Sequence, residues 1–262
     1  MTGKVFLIGA GPGDPELLTV RAVRRINEAD VIVHDRLVSP DIIKLGRPGV
    51  RRIPVGKCAG SHPVPQERIN DILVELAGEG ATVVRLKGGD PFIFGRGSEE
   101  AAALRAAGIP VEVVPGITAA QGTAASTGVP LTHRGLATGV RYVTGHRRAD
   151  EPLDLDWKSL ADPDTTLVVY MGAANIGEIA SNLIAAGMPR HLPVLAVSEA
   201  TTPNEQQMRS WLDSIGMDVE AHPMPSPVLF IIGRVADMAV VNDDIIPEAA
   251  TRASRSFEII HA

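Results

Sequence analysis

The sequence predicts an α/β protein made of two α/β domains. Three observations carry that expectation. Short apolar runs alternate with stretches of helical periodicity, the pattern of parallel strands joined by crossover helices. A segment rich in turn-forming and charged residues, Val129-Pro130-Leu131-Thr132-His133-Arg134-Gly135, interrupts the alternation, and a second set of runs follows it. At 262 residues the chain is long enough for two modest domains, each with its own core. The expected division is residues 1–134, residues 135–241 and a tail, 242–262, that carries charge without strong periodicity and reads as a loosely held extension.

Taken in order, the first strand is expected over residues 5–8, where Val-Phe-Leu-Ile follows a short polar start. A helix over 17–27 leads to a strand over 31–34. A second helix over 67–77 leads to a strand at 83–86, and a third over 99–106 contains Ala101-Ala102-Ala103-Leu104, a run of high helix propensity. Gly108-Ile109-Pro110 stops that helix, and a strand follows over 111–114. A helix of small residues covers 118–125. In the second half strands are expected over 140–144, 166–170, 194–197 and 228–232. Between them lie an acidic loop, 150–156, and a helix near 176–186 ending at Gly187-Met188-Pro189. No repeat of fixed period is present.

Composition narrows the function. No apolar run approaches the roughly 18 residues of a membrane-spanning helix. The apolar start at Val5-Phe6-Leu7-Ile8 is too short for a signal h-region and reads as a strand, and the use of a single cysteine leads to the expectation of a reducing cytoplasm. One cysteine, Cys58, forms no intramolecular disulfide and no cysteine-based metal cluster. His34, Cys58 and His62 lack the closely spaced pairs of a metal site, so no metal is expected. A net charge of −6 argues against general nucleic-acid binding, yet leaves room for an anionic small molecule in a locally basic cleft.

The richest segment is Arg85 to Gly97, reading RLKGGDPFIFGRG. A buried strand runs into Gly88-Gly89-Asp90-Pro91, a turn in which glycine admits unusual dihedrals or close approach of a ligand. Asp90 supplies an acceptor, and Arg85, Lys87 and Arg96 bring positive charge. Carboxyl ends of strands are where open α/β sheets hold ligands. After the first strand, Gly9-Ala10-Gly11-Pro12-Gly13-Asp14-Pro15 suggests a dinucleotide turn, with Asp35 placed as a ribose ligand. The fit fails: Asp14 stands where the third glycine belongs, and Pro12 lacks an N–H for a pyrophosphate. A nucleoside without phosphates remains compatible, S-adenosylmethionine among them. His34-Asp35-Arg36 ends the second strand. Val55 to His62 offers a lysine-bearing glycine loop, which reads equally as a plain surface loop. Val114-Pro115-Gly116-Ile117-Thr118-Ala119-Ala120 presents small residues that suit either an adenosine or tight packing. Cations recur at His133-Arg134 and His146-Arg147-Arg148, and Tyr170-Met171-Gly172 ends a later strand.

In this order the strings GAGPGDPELLT, ADVIVHDRLVSP, VGK..GSH...Q..IN, RLKGGDPFIFGRG, VVPGIT, GVPLTHRG and VTGH resemble the tetrapyrrole methyltransferases of cobalamin and sirohaem biosynthesis. The likeness runs from about Lys4 to Val240, and RLKGGDPFIFGRG with the GK–H–Q–IN segment is most similar to the family's uroporphyrinogen-III branch. The resemblance implies a two-domain α/β enzyme, a homodimer, with S-adenosyl-L-methionine in the interdomain cleft. It implies transfer of two methyl groups to uroporphyrinogen III, at C-2 and C-7, giving precorrin-2. Carried over motif by motif, the cofactor positions are Pro12, Gly88, Gly89, Asp90, Ile93, Thr118, Ala119, Met171 and Ala200, and Asp35 and Lys57 are the proton acceptor and donor. Arg36, His62, Arg85, Lys87, Arg96, His133, Arg134 and His146 are candidates for the eight carboxylates of the tetrapyrrole. The chain departs from the family pattern at Cys58, where arginine is usual, at Ala125-Ser126-Thr127, and near Met208-Arg209-Ser210-Trp211. The alternatives are a later precorrin methyltransferase, a nicotinamide-dependent oxidoreductase, or a non-catalytic cofactor-binding protein.

Overall fold

The computed structural model describes residues 2–56, 64–146 and 153–240. Lys57, Cys58 and His62, the Arg147-Arg148 pair, the first residues of the acidic loop and the tail expected over 242–262 lie outside the described residues. The chain divides into two compact units, Met1–Gly122 and Thr123–Ala262.

In the first unit the order is β1 (Lys4–Gly9), α1 (Val20–Glu28), β2 (Val31–His34), α2 (Pro40–Lys44), β3 (Arg51–Pro54), α3 (Gln66–Gly78), β4 (Thr82–Lys87), α4 (Gly97–Ala106) and β5 (Val111–Val114). A further helix, α5 (Ala119–Thr127), contains the division point. The five strands are all parallel, in the order β3-β2-β4-β1-β5. Alternate residues of the central strands enter different cores, which is why their sequences are continuously apolar. Val5, Leu7, Val31, Val33 and Val83 pack beneath Ile69 and Leu73 of α3 and Ala101 and Leu104 of α4. Phe6, Ile8, Ile32, Val84 and Leu86 pack on the other face with Ala22 and Ile26 of α1 and Ile42 of α2. The chain therefore leaves β1 toward β2 over one face and leaves β4 toward β5 over the other. This makes the carboxyl ends of β1 and β4 a topological switch point of the sheet.

Two local expectations shift. The helix expected from residue 17 begins at Val20, because Asp14 and Thr19 each provide a capping oxygen. Asp14 Oδ1 accepts from Glu16 N at 2.8 Å and starts a single 3₁₀ turn, Pro15–Leu17; Thr19 Oγ1 accepts from Ala22 N at 3.1 Å and starts α1. The strand β3 was not anticipated. It is an edge strand, and its arginines and proline, which hide it from a hydrophobic reading, are what suits an edge.

The second unit contains β6 (Gly139–Thr144), α6 (Trp157–Leu160), β7 (Thr165–Tyr170), α7 (Ile176–Ala185), β8 (Pro193–Ser198), β9 (Gln206–Trp211), α8 (Ile215–Ala221) and β10 (Val228–Ile232). Its sheet runs β6-β7-β10-β8-β9. Only β6 and β7 pair in parallel; β10 is antiparallel to both neighbours and β9 is antiparallel to β8. The parallel arrangement expected throughout thus fails in this half. The link between β8 and β9 is too short for a helical crossover, which takes roughly a dozen residues or more, so the chain returns as an antiparallel neighbour. Within β8, Val194 and Ala196 face α7 and α8, while Leu195 and Val197 face Val129, Ala137 and Val235. Buried Ser210, bonded to Asp218 at 2.5 Å, puts a polar residue on the inner face of β9 and masks its alternation.

Candidate active site

Three strand ends of the first unit are fastened together, two by backbone and the third through a side chain. Gly11 N donates to Gly89 O at 3.1 Å and Gly89 N donates to Gly11 O at 2.7 Å, while Ala10 N reaches Lys87 O at 2.8 Å. The turns after β1 and β4 are thereby zipped across the switch point. The turn after β5 joins them through Asp90: its Oδ1 accepts from Phe92 N at 2.8 Å and its Oδ2 from Gly116 N at 3.0 Å. There is no room for a side chain in this stack. A Cβ on Gly116 would lie 2.2 Å from Gly89 O, and one on Gly9 2.5 Å from Gly116 N.

The Gly11 and Gly89 amides are thus used on each other, and α1 starts well beyond the turn, at Thr19 and Val20. A dinucleotide site needs free amides and a helix N-terminus aimed at the pyrophosphate. Among the described residues the Gly11 and Gly89 amides are not free and α1 does not begin at the turn, which disfavours a dinucleotide there, as Pro12 and Asp14 do in the sequence. Pro12 is half-buried beside the zipped turn. Thr118 is buried at the start of α5, its Oγ1 accepting from Gln121 N at 3.3 Å, and Ala119 is half-buried beside it. Ile93, half-buried, follows the Asp90 turn and donates its amide to Asp90 O at 3.3 Å. These first-unit cofactor candidates gather at the carboxyl ends of β1, β4 and β5.

Asp35 follows β2 and continues the register in which Val33 faces Arg85 of β4. Its amide donates to Leu86 O at 3.2 Å. Its Oδ1 accepts from Arg85 Nη2 at 2.6 Å, and its Oδ2 lies 3.6 Å from Lys87 Nζ. The side chain retains 30% exposure, so this carboxylate meets solvent on one side and two cations on the other. The loop that leads to Lys57 begins here as well. Val55 N donates to His34 O at 3.0 Å, and a Cβ on Gly56 would lie 2.4 Å from Arg36 N.

The cations separate into groups. Arg85 and Lys87, expected to steer an acidic macrocycle, are 1% and 3% exposed and face inward. Their charge is committed to Glu100 and Asp35, because alternation along β4 turns both toward the α3–α4 face. Arg96 is exposed and forked onto Glu99 at 2.9 and 2.6 Å; this hydrogen bonding holds the guanidinium above its usual pKa and the Glu99 carboxyl below. Arg36, His133, Arg134 and His146 are exposed. His133 lies in a tight turn closed by a bridge to Ala137.

In the second unit the carboxyl ends of β6, β7 and β8 share one sheet edge. Gly145 follows β6 and lies against Gly172 after β7, a Cβ on Gly145 falling 2.6 Å from Gly172 Cα; Asn175 Nδ2 donates to Gly145 O at 2.8 Å. Met171 is half exposed with φ of 54°. Ala200, buried in the core, lies between Glu199 and Thr201, with φ of 47° and 66°. Left-handed backbone at non-glycine residues is strained and collects at ligand-binding turns. The two cofactor candidates of this unit thus occupy its strained strand ends.

One residue at this site, Glu100, escaped the sequence reading, and another, the glutamine of the GK–H–Q–IN segment, entered it without a role. Glu100, fully buried, and Gln66, nearly so, meet beneath Arg85 and Lys87, with Gln66 Nε2 donating to Glu100 Oε1 at 3.1 Å. A signal existed. Gly97, Glu100, Ala101 and Leu104 have the spacing of one helix face, and on that face the glutamate is the exception.

Comparisons with known proteins show the family of the chain. The family model described as Tetrapyrrole (Corrin/Porphyrin) Methylases matches residues 4–216. The chain is 65% identical over 237 residues to the uroporphyrinogen-III C-methyltransferase of Paracoccus denitrificans, covering 90% of this chain and 83% of that protein. It is 51% identical to the siroheme synthase of Hahella chejuensis, with 90% of this chain matched to 50% of that protein, so it spans half of the relative's length. Among solved structures it is similar to the uroporphyrin-III C-methyl transferase of Thermus thermophilus complexed with S-adenyl homocysteine, at a TM-score of 0.78 and 41% identity, over 90% of this chain and all of the other. With a family model covering most of its length and a relative matched almost end to end, the chain belongs to the tetrapyrrole methylase family.

Proposed function

We propose that the chain is an S-adenosyl-L-methionine-dependent methyltransferase that methylates uroporphyrinogen III at C-2 and C-7, giving precorrin-2. The observation that carries the reading is the zipped Gly11–Gly89 switch point. It presents a shaped backbone edge that suits a nucleoside, and it withholds the Gly11 and Gly89 amides from a phosphate. The relatives named uroporphyrinogen-III C-methyltransferase, and the one complexed with S-adenyl homocysteine, support the same substrate and cofactor. Pro12, Gly88, Gly89, Asp90, Ile93, Thr118 and Ala119 on the first unit, with Met171 and Ala200 on the second, are the proposed cofactor residues.

S-adenosylmethionine supplies an electrophilic methyl, so the protein contributes mainly alignment and proton handling. The electron-rich pyrrole carbon forms the new C–C bond as the S–CH₃ bond breaks, and S-adenosylhomocysteine leaves. Asp35, solvent-facing and ion-paired from behind, is the proposed acceptor of the proton released from the tetrapyrrole. Lys57 is the proposed donor. Arg36, His133, Arg134, His146, Arg96 and His62 are the proposed contacts for substrate carboxylates; Arg85 and Lys87 act on substrate only through Asp35. A homodimer, a cytoplasmic location and the division into residues 1–134 and 135–241 belong to the same proposal.

The test is anaerobic incubation with uroporphyrinogen III and methyl-labelled S-adenosylmethionine. Two labels per tetrapyrrole are expected, and a later, already methylated precorrin should be a poor acceptor. Absence of label from any tetrapyrrole overturns the reading. Asp35→Ala and Lys57→Ala should each lower turnover by about 10²-fold or more while leaving cofactor affinity within a few-fold.

A further inference from the structure

Behind Asp35 lies a buried charge network that the proposed reaction does not use directly. One oxygen, Glu100 Oε1, accepts from Lys87 Nζ at 2.7 Å, from Arg85 Nη2 at 3.1 Å and Nε at 3.3 Å, and from Gln66 Nε2 at 3.1 Å. Its second oxygen, Oε2, is buried with no hydrogen-bond partner among the described residues. Glu100 is fully buried on the core face of α4, where its neighbours Ala101 and Leu104 are apolar. A carboxylate at such a position is unfavourable unless it is paired, and Arg85 and Lys87 pair it. The same two cations reach Asp35 from the other side. Arg85 Nη2 divides its two hydrogens between Glu100 Oε1 and Asp35 Oδ1, and Nη1 donates to Leu86 O at 3.0 Å, so every nitrogen of the guanidinium is bonded.

The consequences for Asp35 are geometric and electrostatic. Its Oδ1 is pinned by a charge-assisted bond at 2.6 Å, and its Oδ2 has only the longer ion pair with Lys87. Glu100 cancels one of the two positive charges behind it. Without Glu100, Asp35 alone would face both cations, and the guanidinium would lose the partner that holds its Nε and Nη2. We infer that Glu100 is a positioning residue for the methyl-transfer reaction. Through Arg85 and Lys87 it holds the Asp35 carboxylate with one oxygen fixed and the other presented to the substrate. This rests on Asp35 being the proton acceptor, a role the closing experiment tests separately.

The test is a double-mutant cycle on the full chain, with kcat, the KM for uroporphyrinogen III and the dissociation constant for S-adenosylhomocysteine measured for Glu100→Gln, Asp35→Ala and the pair. Glu100→Gln keeps shape and removes the charge. Expected is a fall in kcat of about tenfold or more, with both binding constants within about twofold, and almost no further fall when Asp35 is already alanine. An equal fall in both backgrounds, or a loss carried by the binding constants, marks a merely structural role and overturns the inference. Unchanged turnover in Asp35→Ala alone overturns the role of Asp35 itself, and the inference with it. Arg85→Lys keeps the charge and loses the fork; it provides the same cycle should Glu100→Gln not fold, with the same coupled loss expected and additivity again decisive against it.

Discussion

Asp90 and Gly116 decide the geometry of the first unit's strand ends, and their energetics can be measured. Both Asp90 oxygens accept backbone amides, from Phe92 and Gly116, so the carboxylate is a brace between two turns as well as a proposed cofactor residue. The glycine opposite is required for a steric reason, since a methyl on Gly116 would sit 2.2 Å from Gly89 O and 2.8 Å from Gly9 Cα. Gly116→Ala should destabilise the protein by about 1–3 kcal/mol, because only backbone can move aside. Gly78→Ala, at the end of α3 with nothing within 4 Å of a new Cβ, should instead be neutral or stabilising by up to about 1 kcal/mol. Urea denaturation of the two variants checks the contrast. The motifs made most of these residues visible in the sequence. Glu100 was passed over, because a glutamate beside another glutamate reads as solvated unless the apolar face of its helix is traced first.

At the level of elements, one side chain ties the starts of two neighbouring strands. Asp30, just before β2, donates its amide to Thr82 O at 2.9 Å and accepts the Thr82 amide on Oδ2 at 2.8 Å, while Arg47 binds Oδ1 at 2.5 Å. The Thr82 amide first, and the Arg47 charge after it, hold the Asp30 carboxyl below its usual pKa. A carboxyl lowered on folding adds stability above the ordinary carboxylate range and loses it as pH falls through the lowered folded value. The melting-temperature gap between the native protein and Asp30→Asn should therefore be present at neutral pH and close in strong acid. A gap that stays constant with pH would remove the carboxylate's role. Elements with clean periodicity, such as β2, β5 and β10, fall on the residues that their apolar runs predict. Those hidden in the sequence, β3 and β9, are edge strands, whose polar content reflects exposure on one side.

For the whole molecule, the decisive expectation concerns the ligand. S-adenosylhomocysteine at about 100 times its dissociation constant should stabilise the protein by about 2.7 kcal/mol, visible as a rise in melting temperature, whereas nicotinamide dinucleotides should leave it unmoved. A rise with the dinucleotide alone would contradict the account of the Gly11–Gly89 zipper. Much of this was legible in the linear chain. The α/β class followed from alternating periodicities, and Pro12 and Asp14 already disfavoured a pyrophosphate, because both depend on chemistry within a few neighbouring residues. Other properties needed the folded chain. The antiparallel placement of β10 between β7 and β8 depends on pairing between distant segments, which local pattern does not encode. The fate of Arg85 and Lys87 is similar. Their residue types announced charge near a ligand turn, but burial against Glu100 and contact with Asp35 arise only when β2, β4 and α4 are brought together, and that assembly turns two apparent substrate-binding cations into the support of a carboxylate.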